Sequence, residues 1–441
     1  MRYFLLLLAL LIICVAPAQH YIPIDTADHQ LREIHIKEYK KADAVFISDI
    51  RKNYSGREEK QMVEELQDYS DNFIEKIREG QFCFDKRFTE KAEGILSEIR
   101  KENTMVPGNM NILVSKDPSL NAYCLPNGTF IVNMGVFYWL QNTDQIAAVI
   151  SHEISHIILN HPIRNILNAI RDDLSEESRE TLKSVRNQKY NKREKAFELF
   201  KRKLYAKGDI KRKHEFEADS LGYILLRNTD YNCLDFIEAL RLNEKYDSLV
   251  PDPFPNQVYR DVFDLPNQKF REEWLKMEDF SAYDYSKFKE RFDQDSISTH
   301  PDTEIRIKKL ENLFPELNNS KTNPPDSAFV TLAKIAEYEQ VPDLYFAEEY
   351  GNGIYLCLER IRQGKDDDFY KEWLGKCFDK IYEARKNYRL NRYLDAINPK
   401  TQPLNYQQFL SFMWNLSLEE IKNIRDFYQP SVQNVEQVKT E

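Results

Sequence analysis

The feature that most constrains this chain is one apolar helix that carries two histidines and a glutamate beyond its first turn. Residues 142–160 have the sequence NTDQIAAVISHEISHIILN, and apolar side chains cover most of the helix circumference, which predicts a buried helix. Asn142 and Gln145 stand at the spacing of a capping box, and Pro162 follows the predicted end. Burying two imidazoles and a carboxylate costs free energy unless each finds a partner, so this helix must pack against groups that satisfy them.

These three side chains form the H-E-x-x-H pattern, with His152, Glu153 and His156 in the sequence HEISH. Four residues advance a helix by about 400°, so His152 and His156 project from one face, where two imidazoles can share one tetrahedral metal ion. Glu153 lies on an adjacent part of that face, within reach of a water molecule beside the ion. A metal ion and its water satisfy all three side chains. We therefore predict one Zn²⁺ per chain, with His152 and His156 as ligands and Glu153 as the catalytic base.

The pattern supplies two protein ligands, and a zinc hydrolase needs a third. One known arrangement places Gly seven and His ten residues after the first His, but Leu159 and Pro162 occupy those positions. His161 falls one residue short and lies about 180° around a continuous helix from His152. We therefore expect His161 at the helix end or beside a ligand, and the third ligand elsewhere in the chain.

Residues 214–222, HEFEADSLG, lie on a second predicted helix and provide the best candidate. An acidic run alone is typical of a solvated helix surface, but beside H-E-x-x-H a carboxylate completes a site of two His and one Glu. Asp219 lies about 40° around the helix from Glu215 and about 200° from Glu217, so only Glu215 shares its face. Asp219 is then expected to contact the second ring nitrogen of a ligand imidazole, and Glu217 to point elsewhere.

With these residues in place, the chain resembles the gluzincin zinc metallopeptidases of the HtpX and CAAX-prenyl-protease type, specifically their soluble exported branch. Four segments carry the resemblance, in the family's order and spacing, and together they cover roughly residues 60–315. They are residues 121–128 (NAYCLPNG), the H-E-x-x-H helix, residues 212–222 (RKHEFEADSLG), and residues 299–301 (THP) followed by Arg306 and Ile307.

The resemblance implies roles for several residues. It makes Glu215 the third metal ligand and His300 the side chain that stabilises the transition state. It also implies that residues 121–123 form an edge strand over the cleft, where an extended peptide can bind through main-chain hydrogen bonds. The family usually has Ser-Arg where this chain has Lys211-Arg212, so no role is carried over for that Ser. The predicted substrate-binding residues are Asn121, Ala122, Tyr123 and Arg306.

The predicted fold class is α+β and mostly α: a zincin-like peptidase core with a small β-sheet and hairpin over the buried helix, flanked by helical terminal regions. The sequence Asn127-Gly128 between apolar runs predicts the hairpin, with a type I′ turn in which both residues adopt positive φ. The predicted domains are a signal peptide at 1–18, a helical region at 19–104, the metallopeptidase core at 105–316 with a basic helical excursion at 171–213, and a helical domain at 326–441.

The first residues, MRYFLLLLALLIICVAPAQH, place an Arg before an apolar run and small residues before a predicted cleavage after Ala18. We therefore expect an exported protein, periplasmic or secreted if bacterial. An uncleaved membrane anchor is the alternative, disfavoured because the run is shorter than the roughly 20 residues of a spanning helix. Beyond Ala18 the cysteines are too few and too scattered for a disulfide scaffold, so buried free thiols are expected, with a Cys357–Cys377 bridge as the alternative.

The composition of the chain argues against nucleic acids and nucleotides as binding partners. The 62 Lys+Arg against 72 Asp+Glu give a net charge of −10, which argues against a general nucleic-acid binder. The sequence has no G-x-G-x-x-G or Walker pattern, which disfavours a nucleotide enzyme. The expected partner is a polypeptide substrate bound as an extended strand, with no nucleic acid and no transmembrane domain in the mature chain. A protein partner that binds the C-terminal helical domain is a further prediction.

Two functional hypotheses follow. The first is an exported zinc-dependent metalloendopeptidase that hydrolyses peptide bonds in protein quality control or processing. The alternative is a binding or chaperone-like protein that uses the peptidase fold to capture unfolded chains, with little or no proteolysis. The intact set of ligands and base favours the enzyme.

Overall fold

Helices make up most of the structure, a computed structural model that describes residues 21–176, 192–247, 254–277, 303–319, 321–365, 367–399 and 402–429. Within those ranges, four short strands form a single sheet. The predicted α+β, mostly α fold class is therefore confirmed.

The helices and strands are numbered in chain order. The helices are α1 (His29–Asn53), α2 (Gly56–Arg78), α3 (Lys86–Glu102), α4 (Met134–Trp139), α5 (Thr143–Ile158), α6 (His161–Leu174), α7 (Lys192–Arg227), α8 (Asp235–Asp247), α9 (Asn256–Phe263), α10 (Thr303–Leu313), α11 (Ser327–Phe346), α12 (Tyr350–Arg362), α13 (Asp367–Lys386), α14 (Leu404–Asn415) and α15 (Leu418–Tyr428). Short 3₁₀ turns are Glu272–Leu275, Pro315–Asn319 and Leu390–Arg392. The strands are β1 (Phe82–Cys83), β2 (Asn111–Ser115), β3 (Ala122–Cys124) and β4 (Thr129–Asn133).

The chain divides into two compact units. The larger unit comprises Asp25–Val250 with Phe280–Gln340, and the smaller comprises Met1–Ile24, Pro251–Asp279 and Val341–Glu441. The larger unit holds the sheet, α1 to α8 and α10, and the smaller holds α9 and α12 to α15. The domain boundaries given by the sequence stay a prediction.

The sheet of the larger unit has the strand order β1-β2-β4-β3. Strands β2 and β4 are parallel, with Ile112 opposite Phe130, whereas β3 and β4 are antiparallel, with Tyr123 opposite Ile131. Strand β4 lies between two neighbours and is buried along its whole length. Strand β3 is at the edge of this sheet, so it pairs with β4 on one side only.

The β3–β4 hairpin is present, but its turn differs from the prediction. The amide of Gly128 donates to the carbonyl of Leu125 over 3.0 Å, so the two central residues are Pro126 and Asn127. Gly128 has φ of 85°, whereas Asn127 is not among the residues with positive φ. The type I′ prediction was wrong because the ring of Pro126 holds φ near −65°, which selects a turn that begins one residue earlier.

Helix α5 is the predicted apolar helix, and it begins and ends within residues 142–160. Asn142 caps its N-terminus by accepting a hydrogen bond from the Gln145 amide over 2.9 Å. The Gln145 side chain accepts from the Gln141 amide over 2.8 Å, so the reciprocal bond of the capping box is displaced by one residue. After Ile158 the chain turns at Asn160, whose φ of 56° lies in the left-handed region that Asn tolerates. His161 therefore begins a new helix, α6, instead of continuing α5.

Helix α6 is held against α1 and α2. Ile170 of α6 joins a buried apolar cluster with Ile50 of α1 and Met62 of α2. At the surface, the guanidinium of Arg171 pairs with the carboxylate of Glu58 at 2.9 Å. These contacts determine the direction in which α6 leaves α5, and with it the position of His161.

The smaller unit is a helical assembly with an aromatic core. The rings of Phe263 and Phe412 lie 4.7 Å apart, and Trp274 packs edge-on against Phe412. Ser417 and Glu420 form a complete capping box at the start of α15. Cys357 and Cys377 are buried free thiols in this unit, as the sequence analysis favoured.

In the part of the chain that the structure describes, no helix has both the length and the apolar composition needed to cross a bilayer. Three predictions fall on other residues. The signal peptide, residues 177–191 of the basic excursion, and His300 lie outside the described residues.

Candidate active site

The two histidines of the H-E-x-x-H pattern lie side by side on α5. The Nε2 atoms of His152 and His156 are 3.2 Å apart, and both side chains are largely buried. Because the residues are four apart on one helix, the backbone alone brings the two rings together. Both Nε2 atoms face the same space, as two ligands of one metal ion must.

Helix α7 brings the Glu215 carboxylate to the same space. Its Oε2 lies 3.5 Å from Nε2 of His152, and its Oε1 lies 3.7 Å from Nε2 of His156. Ligand atoms bound at about 2.0–2.1 Å to a tetrahedral zinc ion are about 3.3 Å from one another. The three observed separations are close to that value, so these residues fit a zinc ion in size as well as in chemistry.

Asp219 and Arg306 contact His152 and Glu215 from the side away from the shared space. The Oδ1 atom of Asp219 lies 3.0 Å from Nδ1 of His152, and Asp219 is completely buried. The Arg306 guanidinium donates two hydrogen bonds to Asp219, from Nε to Oδ2 over 2.7 Å and from its Nη2 to Oδ1 over 2.6 Å. The same Nη2 lies 3.3 Å from Oε2 of Glu215. One arginine thus contacts both Asp219 and Glu215, two carboxylates that lie one turn apart on α7.

Burial would raise the pKa of Asp219, but the charge and hydrogen bonds of Arg306 outweigh it, so the pKa lies below its ordinary value. For His152, burial opposes the charged form, yet the adjacent carboxylates of Asp219 and Glu215 raise its pKa to about 10. Burial, with the charge of His152, lowers the pKa of His156 to about 3. The carboxylates therefore favour one positive charge at the paired imidazoles, the place where a cation would bind.

Glu153 borders a cavity that opens beside the three candidate ligands His152, His156 and Glu215. Its Oε1 lies 3.8 Å from Nε2 of His152. The cavity has a volume of about 540 Å³, and His152, Glu153 and Glu215 are among the residues that line it. The rest of its wall is mainly apolar. It comes from the residues just before β3, from α4 and the residue that follows it, and from α5 and α8, and it includes Leu120, Val136, Leu140, Val149, Phe236 and Leu240.

The predicted substrate-binding residues are distributed unequally around this cavity. Asn121, Ala122 and Arg306 line it, but Tyr123 does not. Successive side chains of a strand point to opposite faces, so Tyr123 points away from Ala122 and packs against a separate apolar cluster that contains Phe73. Arg306 is 3% exposed, with its guanidinium on Asp219 and Glu215. The roles of all four residues in substrate binding stay predictions.

His161 is closer to the ligand set than a continuous helix would place it. Its Nδ1 lies 2.9 Å from Nδ1 of His156, and its Nε2 lies 3.0 Å from Oε2 of Glu217. The His214 ring stacks on it, with centroids 4.0 Å apart. The helix geometry predicts that Glu217 points away from Glu215, but sequence reasoning missed that Glu217 contacts His161. The residue that could have indicated this contact is Asn160, because Asn tolerates the left-handed conformation that ends one helix and starts another.

Comparison with known proteins gives two results. The sequence model of peptidase family M48 matches residues 87–314, just over half of the chain and all of the ligand candidates described above. A stretch of 55 residues is 34% identical to the mitochondrial metalloendopeptidase OMA1 of Arabidopsis thaliana. That match spans 12% of this chain and 11% of the relative.

Proposed function

Because the chain belongs to peptidase family M48, a family of H-E-x-x-H metallopeptidases, we propose that it is an exported zinc-dependent endopeptidase. The observation that carries this proposal is the convergence of His152, His156 and Glu215 at separations suited to one tetrahedral zinc ion. Glu153 stands beside them and lines a cavity large enough for a substrate side chain. Two imidazoles and one carboxylate are a common ligand set of catalytic zinc, which leaves one position open.

In this proposal, His152, His156 and Glu215 hold the ion, which when bound supplies a Lewis acid that polarises the scissile carbonyl and acidifies a water molecule. Glu153 accepts a proton from the attacking water at a carboxylate oxygen and then donates it to the departing amine. Asp219 and Arg306 keep the ligands in place, because each pairs with a group that is buried next to them. His300 is proposed as the donor to the developing oxyanion.

Strand β3 is the proposed site of peptide binding. It is the edge strand of its sheet, and Asn121 and Ala122 lie at the wall of the cavity that contains Glu153. An extended peptide that adds to this edge is bound through its main chain, which requires neither chain terminus. This arrangement supports internal cleavage, with an apolar substrate side chain in the cavity.

Export and the biological role are further parts of the proposal. Residues 1–18 have the composition of a secretory signal, which supports export to the periplasm or the exterior if the source is bacterial. A role in protein quality control or processing is proposed because binding through the main chain places little demand on sequence. The smaller unit, with its separate aromatic core, is proposed to bind a protein partner.

Zinc analysis combined with a cleavage assay tests the proposal. The purified full chain should contain one zinc per molecule and should cut casein into internal fragments that mass spectrometry identifies. A chelator should abolish cleavage, and added zinc should restore it. A zinc-loaded chain that binds casein without cutting it would instead support the alternative, a peptidase-fold binding protein.

A further inference from the structure

His161 and Glu217 lie behind His156, on the side of its ring that faces away from Glu215. The contacts run from Glu217 Oε2 to His161 Nε2 over 3.0 Å, and from His161 Nδ1 to His156 Nδ1 over 2.9 Å. His161 is 1% exposed, so its ring is removed from bulk water. Glu217, His161 and His156 thus form a series of contacts. It ends at Nε2 of His156, the atom that faces Glu215 and His152.

The carboxylate of Glu217 determines which nitrogen atoms donate and which accept hydrogen bonds in this series. An ionised carboxylate only accepts, so Nε2 of His161 carries the hydrogen and donates it to Glu217. Neutral His161 then has a bare Nδ1, which accepts from Nδ1–H of His156. Neutral His156 is left with a bare Nε2, and that is the atom a metal ion requires. We assign these tautomers from the partners; the opposite set would place a hydrogen on His156 Nε2 and block the ligand atom.

We propose that His161 and Glu217 are positioning residues for zinc: Glu217 orients His161, and His161 holds His156 in the tautomer and ring orientation that bind the ion. This inference rests on the proposed function, because it takes His156 as a zinc ligand. On the other imidazole of the pair, a carboxylate approaches without an intervening ring, since Oδ1 of Asp219 lies 3.0 Å from Nδ1 of His152. Helix α7 carries both Glu217 and Asp219. Carboxylates that contact the second nitrogen of a ligating imidazole, directly or through another group, usually strengthen and orient that ligand.

The same residues do not form a second metal site. Metal-binding atoms of His161, His214 and Glu217 lie within 4.8 Å of one another. The rings of His161 and His214 are stacked, however, with planes 8° from parallel and centroids 4.0 Å apart. Imidazole lone pairs lie in the plane of the ring, so two stacked rings cannot direct them at one shared ion. The stacking instead supports the orientation of His161.

Two substitutions at His161 separate hydrogen bonding from packing. His161→Phe keeps a flat ring to stack on His214 but removes the acceptor, whereas His161→Asn loses the ring and keeps an amide oxygen near the position of Nδ1. We expect His161→Phe to weaken zinc binding by about 10- to 100-fold and His161→Asn by less. Zinc affinity of the full chain is measured by competition with a chromophoric chelator, and circular dichroism of the zinc-free chains checks folding.

Replacing zinc by cobalt(II) gives a second readout that does not depend on activity. The visible absorption of bound cobalt reports ligand geometry, so the His161→Phe spectrum should differ from that of wild type, and the His161→Asn spectrum should lie closer to it. A residue that contributes only to packing would give the reverse order in both affinity and spectrum, and that result would overturn the inference.

Glu217 provides an independent pair of variants, because it is partly exposed and tolerates change more readily than His161. Glu217→Ala should weaken zinc by up to about 10-fold, and Glu217→Gln, which keeps an acceptor oxygen, by less. The matched control is Lys213→Met, which removes the ion pair of Glu217 with exposed Lys213 at 3.8 Å and leaves the His161 contact intact; it should bind zinc like wild type.

The outcomes distinguish the inference from the function on which it rests. A wild-type chain that binds no zinc overturns the proposed function. A wild-type chain that binds zinc tightly, with equal affinity in His161→Phe and Glu217→Ala, overturns the positioning role alone.

Discussion

The backbone of Gly222 on α7 lies directly against His152 on α5. A β-carbon built on Gly222 would be 2.8 Å from the Cα of His152, 3.0 Å from its amide nitrogen and 3.2 Å from the ring of Phe236. Only a residue without a side chain allows the helix that carries Glu215 to approach the helix that carries the two histidines so closely.

Gly222→Ala should therefore destabilise the protein and disturb the ligand set. The added carbon meets backbone, which cannot rotate away, so we expect a loss of about 1–3 kcal/mol in the free energy of unfolding. Zinc affinity should fall as well, because His152 has to shift. Denaturant unfolding and chelator competition measure the two effects.

Gly94→Ala is the matched control for that substitution. Gly94 lies inside α3, and a β-carbon there meets no atom within 4 Å. The alanine should stabilise the helix by about 0.5–1 kcal/mol and leave zinc binding unchanged. Equal stability of the Gly222 and Gly94 variants would contradict the close-packing argument.

Glu153→Gln should retain zinc and lose hydrolysis. The substitution keeps the shape of the side chain but removes the base, and loss of a general base typically lowers the rate by roughly 10² to 10⁴. Zinc content and kcat on a casein-derived peptide are the measurements, with exposed Glu90→Gln on α3 as the control. Near-normal turnover by the zinc-loaded variant would show that another group is the base.

Glu215→Ala should lose zinc and activity together, because it removes one of the proposed ligands. Asp219→Ala should retain weaker zinc binding, by roughly 10- to 100-fold, since Asp219 contacts the imidazole of His152 and not the ion. Metal analysis and chelator competition on the two purified variants give these values. Zinc kept by Glu215→Ala but lost from Glu217→Ala would reverse the assignment of the third ligand.

Arg306→Met should destabilise the fold by about 3–5 kcal/mol, because it leaves the buried charge of Asp219 without its partner. Arg306→Lys should restore only part of this loss, because an ammonium group cannot donate two parallel hydrogen bonds to one carboxylate. Thermal and denaturant unfolding measure the effect. A raised KM with wild-type stability and zinc affinity would instead indicate that Arg306 acts mainly on substrate.

Much of the geometry of the candidate site was predictable because it depends on helix periodicity. His152 and His156 share a face at four-residue spacing, and so do Glu215 and Asp219. The prediction that Glu217 points away from Glu215 rests on the same periodicity. A helix repeats every 3.6 residues wherever it lies in a protein, so these relationships do not depend on the rest of the fold.

Predictions of where a turn lies and where a helix ends were wrong at two places, because one residue there adopts a backbone conformation that redirects the chain. The hairpin between β3 and β4 was predicted, but Pro126 moved its turn by one residue. The H-E-x-x-H helix was predicted through residue 160, but it ends at Ile158, and Asn160 redirects the chain. In both places a single φ value changes the direction of everything that follows, and the apolar pattern of the sequence does not encode it.

The sequence by itself determined the fold class, the buried helix and the common face of His152 and His156, because each follows from composition or from spacing along one element. Only the tertiary structure decided that Arg306 pairs with Asp219, that His161 reaches back to His156, and that Tyr123 lies away from the cavity. Those contacts join residues that are distant in the chain or that lie beyond a turn. Their partners depend on how elements pack against one another, and packing is decided by the whole chain rather than by any one segment.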